Sequence, residues 1–315
     1  MKIAFFGTSD RSIPILESLK SNFELCLCVT KKDTKIGRHQ VSKETGVKSW
    51  AKSNSVPYVE IDSLKNHNLE LVLNKLREIK AEYGIVVDFS FIIPYGLINY
   101  FDKKLINIHF SLLPKYRGAS PVQFAILNGD KTTGITFHLV DTGMDTGAVI
   151  KQIEYNITNK TTSRELYDIL FKFSVENLPK VLTDFAKGQL SLVLQDETKA
   201  SYTHSPTHPT STFIYKEDAQ IDWSKSPENI EREVHAFNPW PIAWCQIGKL
   251  EDNHSIVPEN LILRPNVNKN LTVKIYLTEL KNNKLSIKEI QVEGKNKMSF
   301  EDFLNGYATV ATAAA

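Results

Sequence analysis

Short apolar runs that alternate with helical stretches over residues 2–157 constrain the fold more than any other feature. The runs that predict strands span residues 2–6, 24–30, 57–61, 84–89, 105–110, 134–141 and 147–157. The first is apolar throughout, which is typical of a central parallel strand buried on both faces. Strands alternating with helices predict an α/β fold with a Rossmann-like, doubly wound, mostly parallel sheet, whose ligands bind at the carboxyl ends of the strands.

Two helical stretches carry recognisable boundaries. Residues 63–83 are predicted to form a helix that ends at Gly84, with an apolar stripe at helical spacing made of Leu69, Val72, Leu73, Leu76 and Ile79. Thr162 and Glu165 have the spacing of a capping box and predict the start of a long amphipathic helix. Both helices are expected to pack against the sheet.

The sequence changes character after the long helix. Residues 1–190 are predicted to form the first domain, which contains this sheet, and residues 191–212, rich in Ser, Thr, Pro and His, a linker. Short alternating strands broken by Asn and Gly turns predict a smaller OB-like β-barrel over residues 213–308, followed by a tail over residues 309–315. A chain of 315 residues is long enough for two such domains.

Composition narrows the class of protein. The net charge of +2 is too small to predict a basic nucleic-acid-binding face by itself, and three cysteines have neither disulfide nor metal-site spacing. No apolar run approaches the ~18 residues that span a bilayer. We therefore expect a cytoplasmic monomer with no membrane partner and no metal.

The first turn argues against a dinucleotide cofactor. Gly7 follows the first strand alone, whereas pyrophosphate binding at this place needs the glycines of a G-x-G-x-x-G pattern. The residues that bind a ligand in the predicted strand-end cleft are therefore expected elsewhere in the chain.

The densest group of polar residues and turns lies between residues 106 and 147. Asn107 and His109 end the fifth strand and, being two residues apart, face the same side of the sheet. Pro121 is predicted at the first position of a helix, and the helix start with Arg117 just before it favours an anion nearby. A glycine-rich loop, DTGMDTG, then carries Asp141 and Asp145.

An Asn, a His and an Asp in this arrangement suit transfer of an acyl-type group. The Asn107 amide could stabilise a tetrahedral oxyanion, His109 titrates near neutrality and could carry the proton, and Asp145 could orient the imidazole. No Ser or Cys is obviously placed as a nucleophile, which favours direct transfer. The residues alone leave a second interpretation open, in which His109 is a structural strand-end histidine and Asp145 a turn residue.

A basic stretch follows the second strand and also has two interpretations. It includes Lys31, Lys32, Lys35, Arg38, Lys43 and Lys48. A run of charges is commonly a solvated loop, but a mobile basic loop can also grip a phosphate backbone.

Three motifs resemble the 10-formyltetrahydrofolate-dependent formyltransferases. They are Asn107-x-His109, the SLLPKYRG run from Ser111 to Gly118, and the DTGMDTG loop from Asp141 to Gly147. The resemblance is closer still to the members that formylate methionyl initiator tRNA. FFGTSDRSIPILESL matches their first strand and helix, IGRHQVSKETGVKSWA their basic loop, and QIDWSKSPENIEREVHAFNPWPIAW the entry to their second domain.

The resemblance implies a reaction, a co-substrate and a partner. Asn107, His109 and Asp145 would be catalytic, and 10-formyltetrahydrofolate would bind along the strand ends at Phe89, Ser90, Ile92, Ser111, Leu112, Leu113, Pro114 and Asp141. Initiator methionyl-tRNA would be bound by Lys35, Arg38 and Lys43, and the C-terminal barrel would also contact it. The run from Asp88 to Phe91 stands where the family usually has smaller residues.

Three other functions remain to be separated from this one. A sugar-nucleotide N-formyltransferase shares the catalytic trio, and the basic loop and the Asn238-Pro239-Trp240-Pro241 run argue against it. A formyltetrahydrofolate hydrolase would use water as the acceptor. A nonenzymatic tRNA- or folate-binding module is the alternative of another class, and the intact trio argues against it.

Overall fold

The computed structural model describes residues 1–36, 41–247, 261–263 and 271–310 of the chain. These residues form two compact units. The first contains Met1–Pro121, Thr132–Asn156 and Tyr167–Tyr202, and the second contains Val122–Lys131, Ile157–Leu166 and the described residues from Thr203 onward. The domain boundaries drawn from the sequence stay a prediction. No helix in the described part of the chain is both long and apolar enough to cross a membrane.

The first unit is built on a seven-stranded sheet. Up to Ala186 the helices and strands of the chain are β1 (Lys2–Gly7), α1 (Ile13–Asn22), β2 (Glu24–Lys31), β3 (Thr34–Ile36), β4 (Val41–Lys43), α2 (Gly46–Ser53), β5 (Tyr58–Ile61), α3 (Asn66–Ile79), β6 (Tyr83–Val87), α4 (Tyr95–Phe101), β7 (Leu105–His109), α5 (Pro121–Leu127), β8 (Thr132–Leu139), β9 (Val149–Asn156) and α6 (Ser163–Ala186). Of these, α5 beyond Pro121 belongs to the second unit. The strand order is β5-β2-β1-β6-β7-β8-β9.

The strands of this sheet run parallel from β5 to β7, and β8 and β9 are antiparallel. The mostly parallel α/β prediction is therefore confirmed. Its middle strands are fully buried, as their continuous apolar sequences predict: Ile3, Phe5, Leu27 and Ile85 are all 0% exposed. The antiparallel step after β7 places Asn107 opposite His138 and His109 opposite Thr136.

One predicted helix boundary is wrong. The helix α3 ends at Ile79, and Lys80 adopts the left-handed backbone conformation (φ +59°) that terminates it. Gly84 lies inside strand β6, where an added Cβ would come within 2.4 Å of Leu105 Cδ1. Close packing against β7 therefore explains this glycine better than a helix cap does.

The helix caps at two other places follow the prediction. Glu165 Oε2 accepts from the Thr162 backbone N–H (2.8 Å), and the Thr162 hydroxyl accepts from the Glu165 N–H (3.3 Å). This reciprocal pair is the capping box at the start of α6. Pro121 begins α5, where its missing N–H costs no helical hydrogen bond.

The second unit contains a smaller antiparallel sheet. From Thr203 onward its helices and strands are α7 (Pro227–Ala236), β10 (Trp244–Ile247), β11 (Leu261–Leu263), β12 (Leu271–Lys281), β13 (Lys284–Val292), β14 (Lys297–Ser299), α8 (Phe300–Tyr307) and β15 (Ala308–Val310). The strands β10, β12, β13 and β14 form one sheet, and its apolar face packs on Ile230, Val234 and Phe303. A smaller β unit after the α/β unit agrees with the predicted fold class.

Candidate active site

Strand β7 presents Asn107 and His109 on one face of the sheet. His109 is buried, and Asn107 is half-buried. The neighbouring strand β8 places His138 opposite Asn107, and its Nε2 lies 3.1 Å from Asn107 Nδ2. The sheet register therefore joins one amide and two imidazoles into a single polar cluster within an apolar layer.

The loop after β8 folds back over this cluster. Gly147 makes this possible, because a Cβ there would lie 1.8 Å from the Leu139 carbonyl oxygen. The Asp141 carboxylate caps the turn, accepting from the Gly143 N–H (3.0 Å) and the Thr146 hydroxyl (2.6 Å). Asp145 is in the left-handed backbone region (φ +54°), and its side chain points into the cluster, where it contacts Asn107 and His109.

The Asp145 carboxylate contacts both of the other predicted catalytic residues. Its Oδ2 lies 3.6 Å from His109 Nδ1, and its Oδ1 accepts from Asn107 Nδ2 at 3.3 Å. Oδ1 is also 3.5 Å from His138 Nε2, and the Gly118 N–H donates to Oδ2 at 2.8 Å. The structure thus brings together Asn107, His109 and Asp145, which are far apart in the sequence.

Burial acts differently on the two ionisable partners. Loss of solvent would raise the pKa of Asp145, but the charge that the facing His109 ring carries when protonated, the contact with His138 and the Gly118 N–H outweigh it, so the pKa is well below its usual range. Loss of solvent lowers the pKa of His109, although Asp145 opposes that shift. At neutral pH the cluster therefore contains a carboxylate beside a largely neutral imidazole.

Backbone carbonyls set which nitrogen of each ring carries the proton. His109 Nε2 lies 2.9 Å from the Tyr116 oxygen, which can only accept, so Nε2 donates and the free lone pair is on Nδ1, facing Asp145. His138 Nδ1 likewise donates to the Leu139 oxygen (2.8 Å), which leaves its Nε2 to accept from Asn107. A proton taken up at His109 Nδ1 is therefore stabilised directly by Asp145.

Sequence reasoning missed three contributors to this cluster. They are His138, the Gly118 backbone N–H, and Gln195, whose side chain bonds to the backbone of the Asp145 loop. His138 had a usable signal, since it lies three residues before the DTGMDTG loop. Gln195 had none, because it lies fifty residues from Asp145 in the predicted linker.

Arg117 does not serve as the anion site that the sequence suggested. Its side chain is fully buried, and its guanidinium pairs with Glu197 at 2.6 and 2.8 Å. Because Glu197 and the Tyr202 hydroxyl bond to it, its pKa is raised. The charge of Arg117 is therefore neutralised by Glu197 within the protein. The helix α5 is short, with seven residues.

The residues predicted to bind folate fall into two groups. Phe89, Ser90 and Ile92 follow strand β6; Ile92 is 86% exposed, and the Phe89 ring packs edge-on against Phe6 and Phe91. The other residues follow β7 or belong to the loop after β8: Ser111, Leu112, Leu113, Pro114 and Asp141. Both β6 and β7 belong to the parallel part of the sheet and end at the same edge.

The buried members of the second group have polar partners of their own. The Ser111 hydroxyl donates to the Lys115 oxygen, and the Leu113 N–H donates to Thr136 Oγ1 at 3.1 Å. These bonds fix the backbone of the turn after β7. Roles in folate binding stay a prediction for all eight residues.

The residues predicted to bind tRNA are only partly described. Arg38 lies outside the described residues, and for Lys35 only the backbone, in strand β3, is described. Lys43 is exposed on β4, and its Nζ lies 3.7 Å from Asp10 Oδ2. Across the described part of the chain, no group of three or more His, Cys, Asp or Glu side chains is placed to hold a metal ion.

Family comparison gives the same result for both parts of the chain. Residues 1–182 match the family described as formyl transferase, and residues 213–257 match its C-terminal domain. The methionyl-tRNA formyltransferase of Legionella pneumophila (strain Paris) is 32% identical over 319 aligned positions, covering 98% of this chain and 96% of the relative.

Two solved structures share the fold over nearly the whole length. The methionyl-tRNA formyltransferase from Clostridium thermocellum has a TM-score of 0.58 at 18% identity, covering 93% of this chain and 98% of its own. WlaRD, a sugar 3N-formyl transferase solved with dTDP and 5-N-formyl-THF, has a TM-score of 0.56 at 21% identity, covering 98% and 96%. At these sequence identities, the similarity to the two structures supports the fold only.

Proposed function

The chain belongs to the formyl transferase family, and on that premise we propose that it transfers a formyl group from 10-formyltetrahydrofolate to the α-amine of methionine charged on initiator tRNA. The observation that carries the proposal is the 32% identity to a methionyl-tRNA formyltransferase across both parts of the chain. The contacts among Asn107, His109 and Asp145 support it, because they supply what acyl transfer to an amine requires.

The α-amine attacks the formyl carbon directly, and the carbonyl oxygen becomes an oxyanion. An amide hydrogen of Asn107, released from its contact with Asp145 Oδ1 or His138 Nε2, stabilises this charge, a kind of contact worth about 3–4 kcal/mol in other enzymes. His109 accepts the proton that the amine loses and returns one to the leaving nitrogen of the folate. The Asp145 carboxylate stabilises the imidazolium that exists between these two steps.

A covalent enzyme intermediate has no support at this site. Ser111 is the hydroxyl nearest in sequence to His109, but it is fully buried and donates to the Lys115 oxygen. The three cysteines are buried, and burial raises the pKa of the Cys28 thiol to about 12. Direct transfer between the two substrates is therefore the simpler mechanism.

We propose that the two substrates are bound by different sets of residues. The folate lies along the strand ends at Phe89, Ser90, Ile92, residues 111–114 and Asp141, where the exposed Ile92 offers an apolar contact. The tRNA is held by the basic stretch, through Lys35, Arg38 and Lys43. The protein acts as a cytoplasmic monomer, with a catalytic domain over residues 1–190 and an OB-like domain over residues 213–308.

One assay tests the reaction and its acceptor. The protein is incubated with 10-formyltetrahydrofolate and either charged initiator tRNA, a nucleotide-linked amino sugar or water alone, and tetrahydrofolate release is measured. We expect release to depend on the charged tRNA. Release with the amino sugar alone would replace this function with sugar formylation, and release without an acceptor would indicate a hydrolase. No release under any condition would favour a binding module.

Variants of the catalytic trio link the reaction to this site. Asn107→Ala, His109→Ala and Asp145→Ala are each expected to lower kcat by at least ~10²-fold while the far-UV circular dichroism spectrum is unchanged. A near-normal rate for His109→Ala would remove the imidazole from the mechanism.

A further inference from the structure

The segment that follows helix α6 in the first unit bonds to the supports of both His109 and Asp145. We call residues 195–202 the connector segment. It lies between the two stretches that match the family, residues 1–182 and 213–257, and it belongs to the first compact unit. Two of its side chains, Gln195 and Ser201, bond to the backbone that supports Asp145 and His109.

Gln195 holds the Asp145 loop by its backbone. Its Nε2 donates to the Asp145 oxygen at 2.7 Å and to the Gly147 oxygen at 2.8 Å. Its Oε1 accepts from Arg117 Nη2 at 2.9 Å and from Nε at 3.2 Å. Carbonyls can only accept and a guanidinium can only donate, so these partners allow a single orientation of the amide.

The partner of Gln195 is itself held in place. Arg117 is fully buried, bonded through both terminal nitrogens to Glu197, and 3.1 Å from the Tyr202 hydroxyl. Both of those residues belong to the connector segment. The Arg117 guanidinium is therefore a rigid anchor from which Gln195 reaches the catalytic loop.

Ser201 makes the corresponding contact on the His109 side. Its hydroxyl accepts from the Tyr116 N–H at 2.9 Å, and its carbonyl accepts from the Arg117 N–H at 2.8 Å. Tyr116 in turn supplies the carbonyl that accepts from His109 Nε2. The orientation of the His109 ring thus depends on the backbone that Ser201 holds.

Both supported residues have a strained backbone. Tyr116 (φ +59°) and Asp145 (φ +54°) occupy the left-handed region, which side chains with a Cβ adopt rarely. Such a conformation persists only where its surroundings impose it, and it is concentrated at functional sites. At both places the connector segment provides the bond that imposes it.

We propose that Gln195 is a positioning residue for formyl transfer, which holds Asp145 at its working distance from His109 and Asn107, while Ser201 holds the backbone that orients His109. The proposal rests on the proposed function of the same site. It gives the end of the first unit a role in catalysis rather than in linkage alone.

The test compares two equivalent substitutions in the intact chain. Gln195→Met keeps the side-chain length but can neither donate to the loop nor accept from Arg117. Gln189→Met is the matched control, because Gln189 is exposed six residues earlier. For Gln195→Met we expect kcat to fall about 10²-fold, as for a 1 Å misplacement of a catalytic group, with both KM values within about threefold of wild type. Gln189→Met should behave as wild type.

A second measurement distinguishes a positioning role of Gln195 from a general effect on stability. It also does not depend on which acceptor the protein uses. The pKa of His109 is measured by NMR, with the resonance assigned from His109→Asn. Because the Asp145 carboxylate raises this pKa, its displacement in Gln195→Met should lower it, whereas a purely structural role would leave it unchanged. This measurement needs no acceptor, so a wild-type protein that ignores charged tRNA refutes the proposed function and still leaves the positioning role testable.

Two results would overturn the positioning role. One is a kcat for Gln195→Met within about threefold of wild type, and the other is a lower kcat with an unchanged His109 pKa. If Gln195→Met does not fold, Gln195→Asn takes its place, since it keeps the amide but is one carbon too short to span both partners. A folded Gln195→Asn with wild-type kcat and His109 pKa would equally overturn the role.

Discussion

His109 and Asp145 share a buried environment in which each controls the protonation of the other. The lone pair of neutral His109 is on Nδ1, 3.6 Å from the carboxylate, so the ring is ready to accept a proton. Burial makes the charged ring costly, and Asp145 compensates only in part, which leaves the pKa of His109 lowered. A base of this kind is unprotonated at neutral pH and becomes charged only when it takes the proton of the amine.

We predict that the pKa of His109, measured by NMR titration, lies below the ordinary value of ~6.5. The unfolded chain then binds a proton more readily than the folded one. The contribution of His109 to stability is therefore present above pH ~6.5 and is lost as the pH falls through its folded pKa. Asp145→Asn should lower this pKa further, and a titration midpoint above 7 would contradict the assignment.

Some residues of the site could be predicted from the sequence, and others could not. Asn107 and His109 were predictable, because two residues on one strand face need only the period of a strand. His138 and Gln195 were not predicted, because their roles depend on the antiparallel pairing of β8 and on a contact fifty residues away. Arg117 was predicted to favour a bound anion, but in the structure its guanidinium forms an ion pair with Glu197.

At the scale of elements, the loop between β8 and β9 must pass very close to its own strand. A Cβ added at Gly147 would overlap the Leu139 carbonyl oxygen. Gly147 follows Asp145 by two residues. Any side chain at this position therefore moves the loop that carries the catalytic carboxylate.

We predict that Gly147→Ala lowers kcat about 10²-fold and destabilises the protein by about 1–3 kcal/mol. The control is Gly306→Ala in helix α8, where nothing lies within 4 Å of an added Cβ. That substitution should leave kcat unchanged and alter stability by no more than ~1 kcal/mol. Steady-state kinetics and thermal unfolding distinguish the two, and equal kcat values would contradict the role of the close approach.

The β3–β4 hairpin, which carries the basic stretch, is anchored by helix α2. Lys48 of α2 is nearly buried, and its Nζ contacts Asp33 at 2.8 Å and Glu60 at 2.7 Å. The hydrogen bonds that the Lys48 ammonium donates to these two carboxylates raise the pKa of Lys48. The ammonium thus ties the entry of the hairpin to strand β5.

If the hairpin binds tRNA, Lys48→Met should raise KM for the charged tRNA about 3- to 10-fold without changing KM for the folate. Loss of the shared cation leaves two carboxylates to repel each other at the base of the hairpin. Lys52→Met is the matched control on the same helix, since Lys52 forms an exposed pair with Glu44. Equal effects of the two variants on KM would assign the change to lost positive charge alone.

Elements near the sheet centre were the most predictable. Burial on both faces produces continuous apolar runs, so the predicted ends of β1 and β2 differ from those observed by one residue. The hairpin and α2 were not predicted, because their sequence is polar and lacks the continuous apolar runs of the central strands. Their caps, such as Thr45, depend only on neighbouring residues and do not produce such a pattern. At Gly84 two roles of glycine compete, and only the packing of β6 on β7 decides between them.

For the molecule as a whole, the mostly parallel sheet followed from the alternation of strands and helices, but contacts between segments far apart in the chain did not. The second unit includes Val122–Lys131 and Ile157–Leu166, which interrupt the first unit in the chain. Within it, Phe124 and Leu127 pack on Ile214, Ala219 and Phe237. A boundary drawn from composition has no access to such contacts, because they join α5 to residues about ninety positions later.

These contacts lead to a prediction about a shortened chain. A chain of residues 1–202 keeps the first unit but removes the residues that cover Phe124 and Leu127. Exposed apolar surface of this kind promotes association, so the shortened chain should bind the dye ANS and form oligomers, whereas the full chain does not. Replacing both residues with Ser in the shortened chain should reduce dye binding, because it removes the apolar surface itself. A shortened chain that stays monomeric, binds no dye and unfolds at the Tm of the full protein would show that residues 122–131 need no partner from residue 203 onward.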